Sequence, residues 1–264
     1  MTTSEIQPLL GKHVIVTGGS RGIGAAIAVA LARDGARLTL MSRGTHALEE
    51  AAAEVRQETT AECEAVACDV SDPLSVHQAF GVARERFGTP YALINNAGQG
   101  ASATVVDTTP ELWNRLLAAN LSSVLYCIQQ VLPGMQAKRE GRIINVASTA
   151  GLTGYNRSAA YCASKHGVIG LTRAIAVETA KFGVTVNAVC PGYTDTGMAH
   201  DAIQNLVRDA HKTEAEARAM LVRKSPRGEL TAPEEVANAV CWLCSAGATA
   251  ITGQAIAVAG GEVM

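Results

Sequence analysis

The chain has 264 residues, 48% of them hydrophobic, and a formal net charge of −2 from 22 basic and 24 acidic side chains. That length suits one α/β domain with a substantial core, and the near-neutral charge lacks the basic excess of a nucleic-acid binder. No apolar run approaches the ~18 residues that a membrane span requires, and Met1 to Glu5 carries neither the basic nor the apolar region of a secretion signal.

Residues 13–16 form an apolar run that predicts a buried strand, and residues 23–33, rich in alanine and leucine, predict the helix that follows. Between them stands Thr17-Gly18-Gly19-Ser20-Arg21-Gly22-Ile23-Gly24. Strand, glycine turn and helix make a phosphate-binding corner. Glycines allow a tight turn and close backbone approach, while the helix N-terminus offers free N–H groups and a partial positive charge to a pyrophosphate. The spacing of glycines 18, 22 and 24 differs from the commoner dinucleotide fingerprint.

Strands at 37–41 and 64–67 flank a helix at 47–58. Helices at 73–87, 110–135 and 159–182 then alternate with strands that include 143–147 and 184–190, and the last strand is 255–259. No repeat or linker marks a second domain. The alternation predicts a single domain over 1–264, a Rossmann-type doubly wound parallel sheet of about seven strands with helices on both faces. Such sheets bind ligands beyond the carboxyl ends of their strands, where Gly18, Asp69, Asn96, Ser148 and Pro191 fall.

In Tyr161-Cys162-Ala163-Ser164-Lys165 a phenol and an ammonium lie one turn apart on one helix face. A free tyrosine loses its proton near pH ~10. A nearby positive charge favours the phenolate and draws that value toward neutrality, which equips the group for the proton step of an alcohol/ketone interconversion. A Tyr and a Lys at this spacing also often just cover a surface. His166, one residue on, points about 100° away around the helix and reads as a packing or interface residue. Asp107 and Glu111 suit a helix N-terminus and need no catalytic role. Seven scattered cysteines suit reduced thiols in the cytoplasm. Cys241 and Cys244 form a C-x-x-C within a helix-like run at 236–245, where helix packing competes with metal or redox chemistry; there is no second pair to complete a zinc site, and no metal is expected.

Taken together, these motifs resemble the short-chain dehydrogenase/reductase family over essentially the whole chain. In order they are the glycine turn, Asp69-Val70, Asn95-Asn96-Ala97-Gly98, Asn120 after Trp113, Ser148, Tyr161 with Lys165, and Pro191-Gly192 with Thr196 beyond. The resemblance implies catalysis by Asn120, Ser148, Tyr161 and Lys165. Tyr161 would exchange the proton, Ser148 hydrogen-bond the reacting oxygen, Lys165 lower the tyrosine pKa and hold the nicotinamide ribose, and Asn120 hold a relay water. Asn120 could equally be a buried helix polar group satisfying backbone. The implied cofactor contacts are Gly18, Ser20, Arg21, Gly22, Ile23, Gly24, Ser42, Arg43, Asp69, Val70, Asn96, Ala97, Gly98, Tyr161, Lys165, Pro191, Gly192, Thr194 and Thr196. At the end of the second strand Met41-Ser42-Arg43 holds no acid to bond a free ribose 2′-hydroxyl. Arg43, Ser42 and Arg21 can meet a 2′-phosphate, which favours NADP(H) over NAD(H), although both arginines could be ordinary surface residues.

Substrate contacts expected by position are Gln99, Ser148, Thr149, Tyr155, Arg157 and Met198. Residues 193–230 would form a lid, reading as helices at 199–210 and 213–222. Its basic residues, Arg208, Lys212, Arg218, Arg223, Lys224 and Arg227, could meet coenzyme A or an acyl carrier protein. Asp209, Glu214, Glu216 and Glu229 are interleaved, as on an ordinary solvated surface. Within the family the chain looks most like acyl-thioester and polyketide ketoreductases. Many relatives place an aspartate before the final glycine pair; here it reads Ala259-Gly260-Gly261, as in polyketide ketoreductases. The expectation is therefore an NADPH-dependent reductase of a β-keto thioester or similar bulky ketone, working as a homotetramer built through the two long helices. The alternatives are an NAD-dependent secondary-alcohol or 3-hydroxyacyl-CoA dehydrogenase and, remotely, a non-catalytic cofactor sensor.

Overall fold

The computed structural model describes residues 7–264, without the side chains of residues 209 and 210. The N-terminal reading of Met1 to Glu5 and the place of Asp209 among the acids lie outside the described residues.

Seven parallel strands form one sheet in the order β3-β2-β1-β4-β5-β6-β7. They are β1 (His13–Thr17), β2 (Arg37–Ser42), β3 (Cys63–Ala67), β4 (Ala92–Asn95), β5 (Gly141–Val146), β6 (Val184–Pro191) and β7 (Ala255–Val258). Helices α1 (Gly22–Arg33), α2 (Thr45–Thr59) and α3 (Pro73–Phe87) alternate with the first four strands; α4 (Pro110–Leu117) and α5 (Ser123–Lys138) lead to β5, and α6 (Ala159–Thr179) leads to β6. After β6 come α7 (Gly197–Ala210), α8 (Glu214–Val222) and α9 (Pro233–Cys244). This is the doubly wound Rossmann-type sheet that the alternation predicts.

The pleat sorts the apolar runs. Val14 and Val16 of β1 join the core that α1, α2 and α9 cover, whereas Ile15 joins the core under α3, α5 and α6. Burial on both faces is why β1 reads as a nearly continuous apolar run, and it extends along every residue of β5 and β6. Strand order reverses at β1, which pairs with β2 on one side and β4 on the other, so a crevice opens at their carboxyl ends.

Two expected helices are broken in informative ways. The 110–135 helix is interrupted by a π-helical turn, Ala118–Ser122, which holds the buried Asn120. Such turns widen the helix by one residue and often occur at functional sites. The 159–182 helix ends at Thr179, tightens into a 3₁₀ turn and stops at Gly183, whose φ of 72° and close approach to the Arg139 carbonyl exclude a side chain. By length and mean hydropathy alone one helical stretch among the described residues, Pro110–Lys138, could cross a bilayer, although polar residues interrupt it. In the fold α5 packs on β4, β5, α3 and α6, and Val124, Cys127, Ile128 and Val131 are in the core.

Helix α7 begins at Gly197, two residues before the expected start, and Thr213 with Glu216 forms a capping box at the start of α8. These two helices bury Ala199, Ile203, Ala217, Leu221, Val222 and Leu230 against one another, as a small core separate from those of the sheet.

Candidate active site

The glycine corner is locked by main-chain approach. Gly18 has φ of 65°, and a Cβ there would lie 2.8 Å from Ala97 Cα; a Cβ on Gly24 would lie 2.1 Å from the Gly18 carbonyl oxygen. No larger residue fits at either position. Asn96 Nδ2 donates to the carbonyls of Thr17 (3.1 Å) and Gly18 (3.0 Å), and Thr17 Oγ1 accepts from the N–H groups of Asn96 and Ala97. These bonds tie the ends of β1 and β4 together. Arg21, the residue before α1, makes no side-chain cap, so Gly22, Ile23 and Gly24 begin a helix whose first N–H groups are free to meet an anion. Thr196 closes the other side, its Cγ2 3.2 Å from the position of a Cβ on Gly22.

At the end of β2, Ser42 Oγ donates to the Gly44 carbonyl, and Arg43 is exposed. The Asp69 carboxylate accepts from Ser71 Oγ (2.6 Å) and Ser71 N–H (3.0 Å), which hold its acid below the usual range with help from the Arg43 charge. Val70 packs on the sheet core. Ser20 is half-buried in the turn.

Across the crevice, Asn120 is fully engaged. Its Oδ1 accepts from Gln99 N–H (2.8 Å), and its Nδ2 donates to the Gln99 carbonyl (2.9 Å) and to Ser164 Oγ (3.1 Å). Gln99, expected as a substrate contact, is thus held by its backbone. Gly98 lets the chain pass close by: a Cβ there would lie 3.1 Å from Asn120 Oδ1 and 3.6 Å from Lys165 Nζ. Lys165 is 5% exposed and donates to the Val146 carbonyl at 2.9 Å. Its ammonium stands 5.9 Å from the centre of the Tyr161 ring, and the Tyr161 hydroxyl shares a hydrogen bond with Ser148.

Burial raises the Tyr161 pKa above the ordinary phenol value, and the Ser148 bond partly opposes this. Burial also lowers the Lys165 pKa to about 8. Desolvation, which no sequence spacing reports, is the largest influence on both groups.

Beyond β6, Pro191 ends the strand, Gly192 N–H donates to Val258, and Thr194 is buried with its hydroxyl on the Gly192 carbonyl. Among the expected substrate contacts, Thr149 and Tyr155 meet directly, Oγ1 to Oη at 2.7 Å. Met198 spans the cleft, its sulfur 3.4 Å from the position of a Cβ on Gly100. Arg157 is exposed, with φ of 58° and its carbonyl accepting from Ala103 N–H. His166 is likewise exposed and bonds only its own helix, at the Cys162 carbonyl. Burial pushes the Cys244 thiol up to about 12 and raises Cys241 as well, as expected of packed thiols rather than reactive ones.

The sequence reading missed Glu262, Tyr193 and Ser164. Glu262 accepts from Tyr155 Oη, and the Tyr193 ring meets the Tyr155 ring edge-on at 6.4 Å. The one available signal was an acid directly after the glycine pair.

A doubly wound sheet with this glycine corner and a Ser, Tyr and Lys gathered at its strand ends defines a nucleotide-dependent oxidoreductase architecture. The chain belongs to the short chain dehydrogenase family, whose profile matches residues 12–206. It is 40% identical over 249 residues to a granaticin polyketide synthase ketoacyl reductase of Streptomyces violaceoruber, covering 94% of this chain and 91% of that one. It is 37% identical over 254 residues to the 3-oxoacyl-acyl-carrier-protein reductase of Escherichia coli, covering 96% and 98%. A solved structure of an actinorhodin polyketide ketoreductase variant with NADPH superposes with a TM-score of 0.92 at 36% identity, over 97% of this chain and 98% of that one.

Proposed function

We propose that the protein is an NADP(H)-dependent ketoreductase that converts a β-keto thioester, carried on coenzyme A or an acyl carrier protein, or a similarly bulky ketone, to a secondary alcohol. The observation that carries this reading is the gathering of Ser148, Tyr161 and Lys165 beside Gly98 and Asn120, across the crevice from the glycine corner. The uncapped N–H groups on the first turn of α1, held close to β4 by Gly18 and Gly24, suit a pyrophosphate. Gly18 to Gly24, Asp69, Val70, Asn96 to Gly98, Pro191, Gly192, Thr194 and Thr196 would hold the dinucleotide, with Ser42, Arg43 and Arg21 toward a 2′-phosphate. When bound, the nicotinamide supplies the hydride.

The chain's own residues manage the proton. With its pKa raised by burial, Tyr161 keeps its proton at neutral pH, the state a donor to a carbonyl oxygen needs. Ser148 bonds the same oxygen as charge develops on it. Below pH 8 the Lys165 ammonium stabilises the phenolate left behind. Asn120 holds the Gln99 backbone and Ser164 in place beside Lys165.

Residues 193–230 act as the lid of a single catalytic domain. A hollow lined by Val105, Pro110, Trp113 and Ala159, together with exposed Ala163 and Gly170 on α6, supports assembly of a homotetramer through α4, α5 and α6. Seven free cysteines support a reducing, cytoplasmic setting.

The test is oxidation of NADPH and NADH against acetoacetyl-CoA, a bicyclic ketone and an aryl ketone. NADPH preference with thioester or bicyclic-ketone turnover is expected. Preference for NADH, or turnover only of alcohols with oxidised cofactor, would make the protein an NAD-dependent secondary-alcohol or 3-hydroxyacyl-CoA dehydrogenase.

A further inference from the structure

Next to catalytic Ser148 runs a chain of hydroxyls that ends on a carboxylate, and its direction follows from the chemistry of its last member. Tyr155 Oη donates to Glu262 Oε1 and lies 2.7 Å from Thr149 Oγ1. A carboxylate offers lone pairs only, and a phenol has one proton. Tyr155 therefore spends its proton on Glu262, and the bond to Thr149 can form only with the threonine donating. Both protons are committed, in the order Thr149 to Tyr155 to Glu262.

The chain is held from several sides. Gly260 and Gly261 bring the backbone against Arg227, Ser225 and Pro226, and the absence of a side chain on Gly192 leaves room for Glu262 Oε2, 2.8 Å from where a Cβ would stand. Lys224 Nζ lies over the face of the Tyr155 ring at 4.4 Å, leaving the hydroxyl to Glu262. Tyr193 packs on the ring edge at 6.4 Å, and Thr149, bonded to Tyr155, directly follows Ser148, whose Oγ accepts from the Ala150 N–H, so the hydroxyl chain adjoins the reacting group. Burial, reinforced by the Glu262 bond, also raises the Tyr155 pKa and keeps its proton in place.

We infer that Glu262 is a positioning residue that sets the hydrogen-bond sense of this hydroxyl wall, so that Tyr155 meets the substrate as an acceptor and selects a ketone whose flank carries a hydroxyl or enol donor. A flank ending in a carboxylate meets only lone pairs and is rejected. This rests on the ketoreductase reading above.

The experiment compares kcat/KM with NADPH for three six-carbon thioesters of N-acetylcysteamine: 3-oxohexanoyl, 5-hydroxy-3-oxohexanoyl and 3-oxoadipyl. In the native protein the hydroxylated substrate is expected to lead the plain one about tenfold, as loss of one hydrogen bond at a buried wall predicts, with the acid slowest. In Glu262→Leu, which frees the Tyr155 proton to donate, the lead falls to within about twofold and the acid gains on the plain substrate. In Tyr155→Phe the lead disappears and the acid gains nothing. Equal rates for the hydroxylated and plain substrates in the native protein, or an unchanged ratio in either variant, would overturn the inference. So would a uniform loss across all three substrates, which is what a merely structural role produces. If the native protein reduces none of them, the keto-thioester reading itself falls and takes the inference with it.

Discussion

The corner between β1 and β4 is held by main chain, whereas the segment over α7 and α8 is held by side chains at the surface. At the corner, Gly18, Gly24, Thr17 and Asn96 contact backbone atoms at distances that leave no freedom. Around α7 and α8, Arg218 pairs with Asp195 at 3.5 Å and Arg227 with Glu229 and Glu235, all partly solvated and each worth little. The core of α7 and α8 is small and their own. The contrast suggests a division of labour: a part every dinucleotide meets in the same way is built from steric exclusion, and a part that must fit one substrate is built from exchangeable side chains on a weakly anchored pair of helices.

The sharpest probe lies between the two regions. Tyr161→Phe should lower kcat by roughly 10³-fold while dinucleotide affinity, read by fluorescence titration, stays nearly intact. Retention of most of the activity would mean that the proton comes from elsewhere. Within the corner, Gly24→Ala should cost about 2–3 kcal/mol in denaturant unfolding, because its Cβ collides with the Gly18 carbonyl. Gly81→Ala, in α3 with open space around it, should instead gain about 0.5–1 kcal/mol. Similar effects at the two glycines would break the claim that steric exclusion builds the corner.

A pH profile tests the buried pair. Because Lys165 is charged below its pKa of about 8, kcat/KM for reduction should hold to that point and then fall, by about tenfold between pH 7 and 9. A flat profile through pH 9 would remove the ammonium from the mechanism. The smallest effect belongs to α8. Thr213→Ala deletes the capping box and should cost about 1 kcal/mol. Hydrogen exchange should show the loss in α8 while the strands stay protected; loss of protection in the sheet would show that the two regions unfold together.

Much of this site was legible in the chain because its chemistry is local. The glycine turn needs residues without Cβ at particular steps, and Tyr161 and Lys165 need only one helical turn between them; both are visible in a string of letters. Sheet class followed from alternation, since parallel strands require crossover helices. Arg157 shows the limit: its position in the order suggests the pocket, but its backbone φ of 58° is nothing the string of letters announces. Asn120 shows another. A helical pattern cannot announce a π turn, which here lets one side chain clamp Gln99 and Ser164 together.

By itself, then, the sequence determined the sheet, the glycine corner and the placing of Tyr161 and Lys165 one helical turn apart, because each rests on backbone geometry or on neighbours a few residues apart. Tertiary structure alone decided the rest. Burial raises Tyr161 and lowers Lys165 because desolvation depends on everything packed around a group, not on what precedes it in the chain. Glu262 reaches Tyr155 across 107 positions because the glycine pair turns the chain back over the end of β6, and only in the folded molecule does an acid beside two glycines become part of the wall.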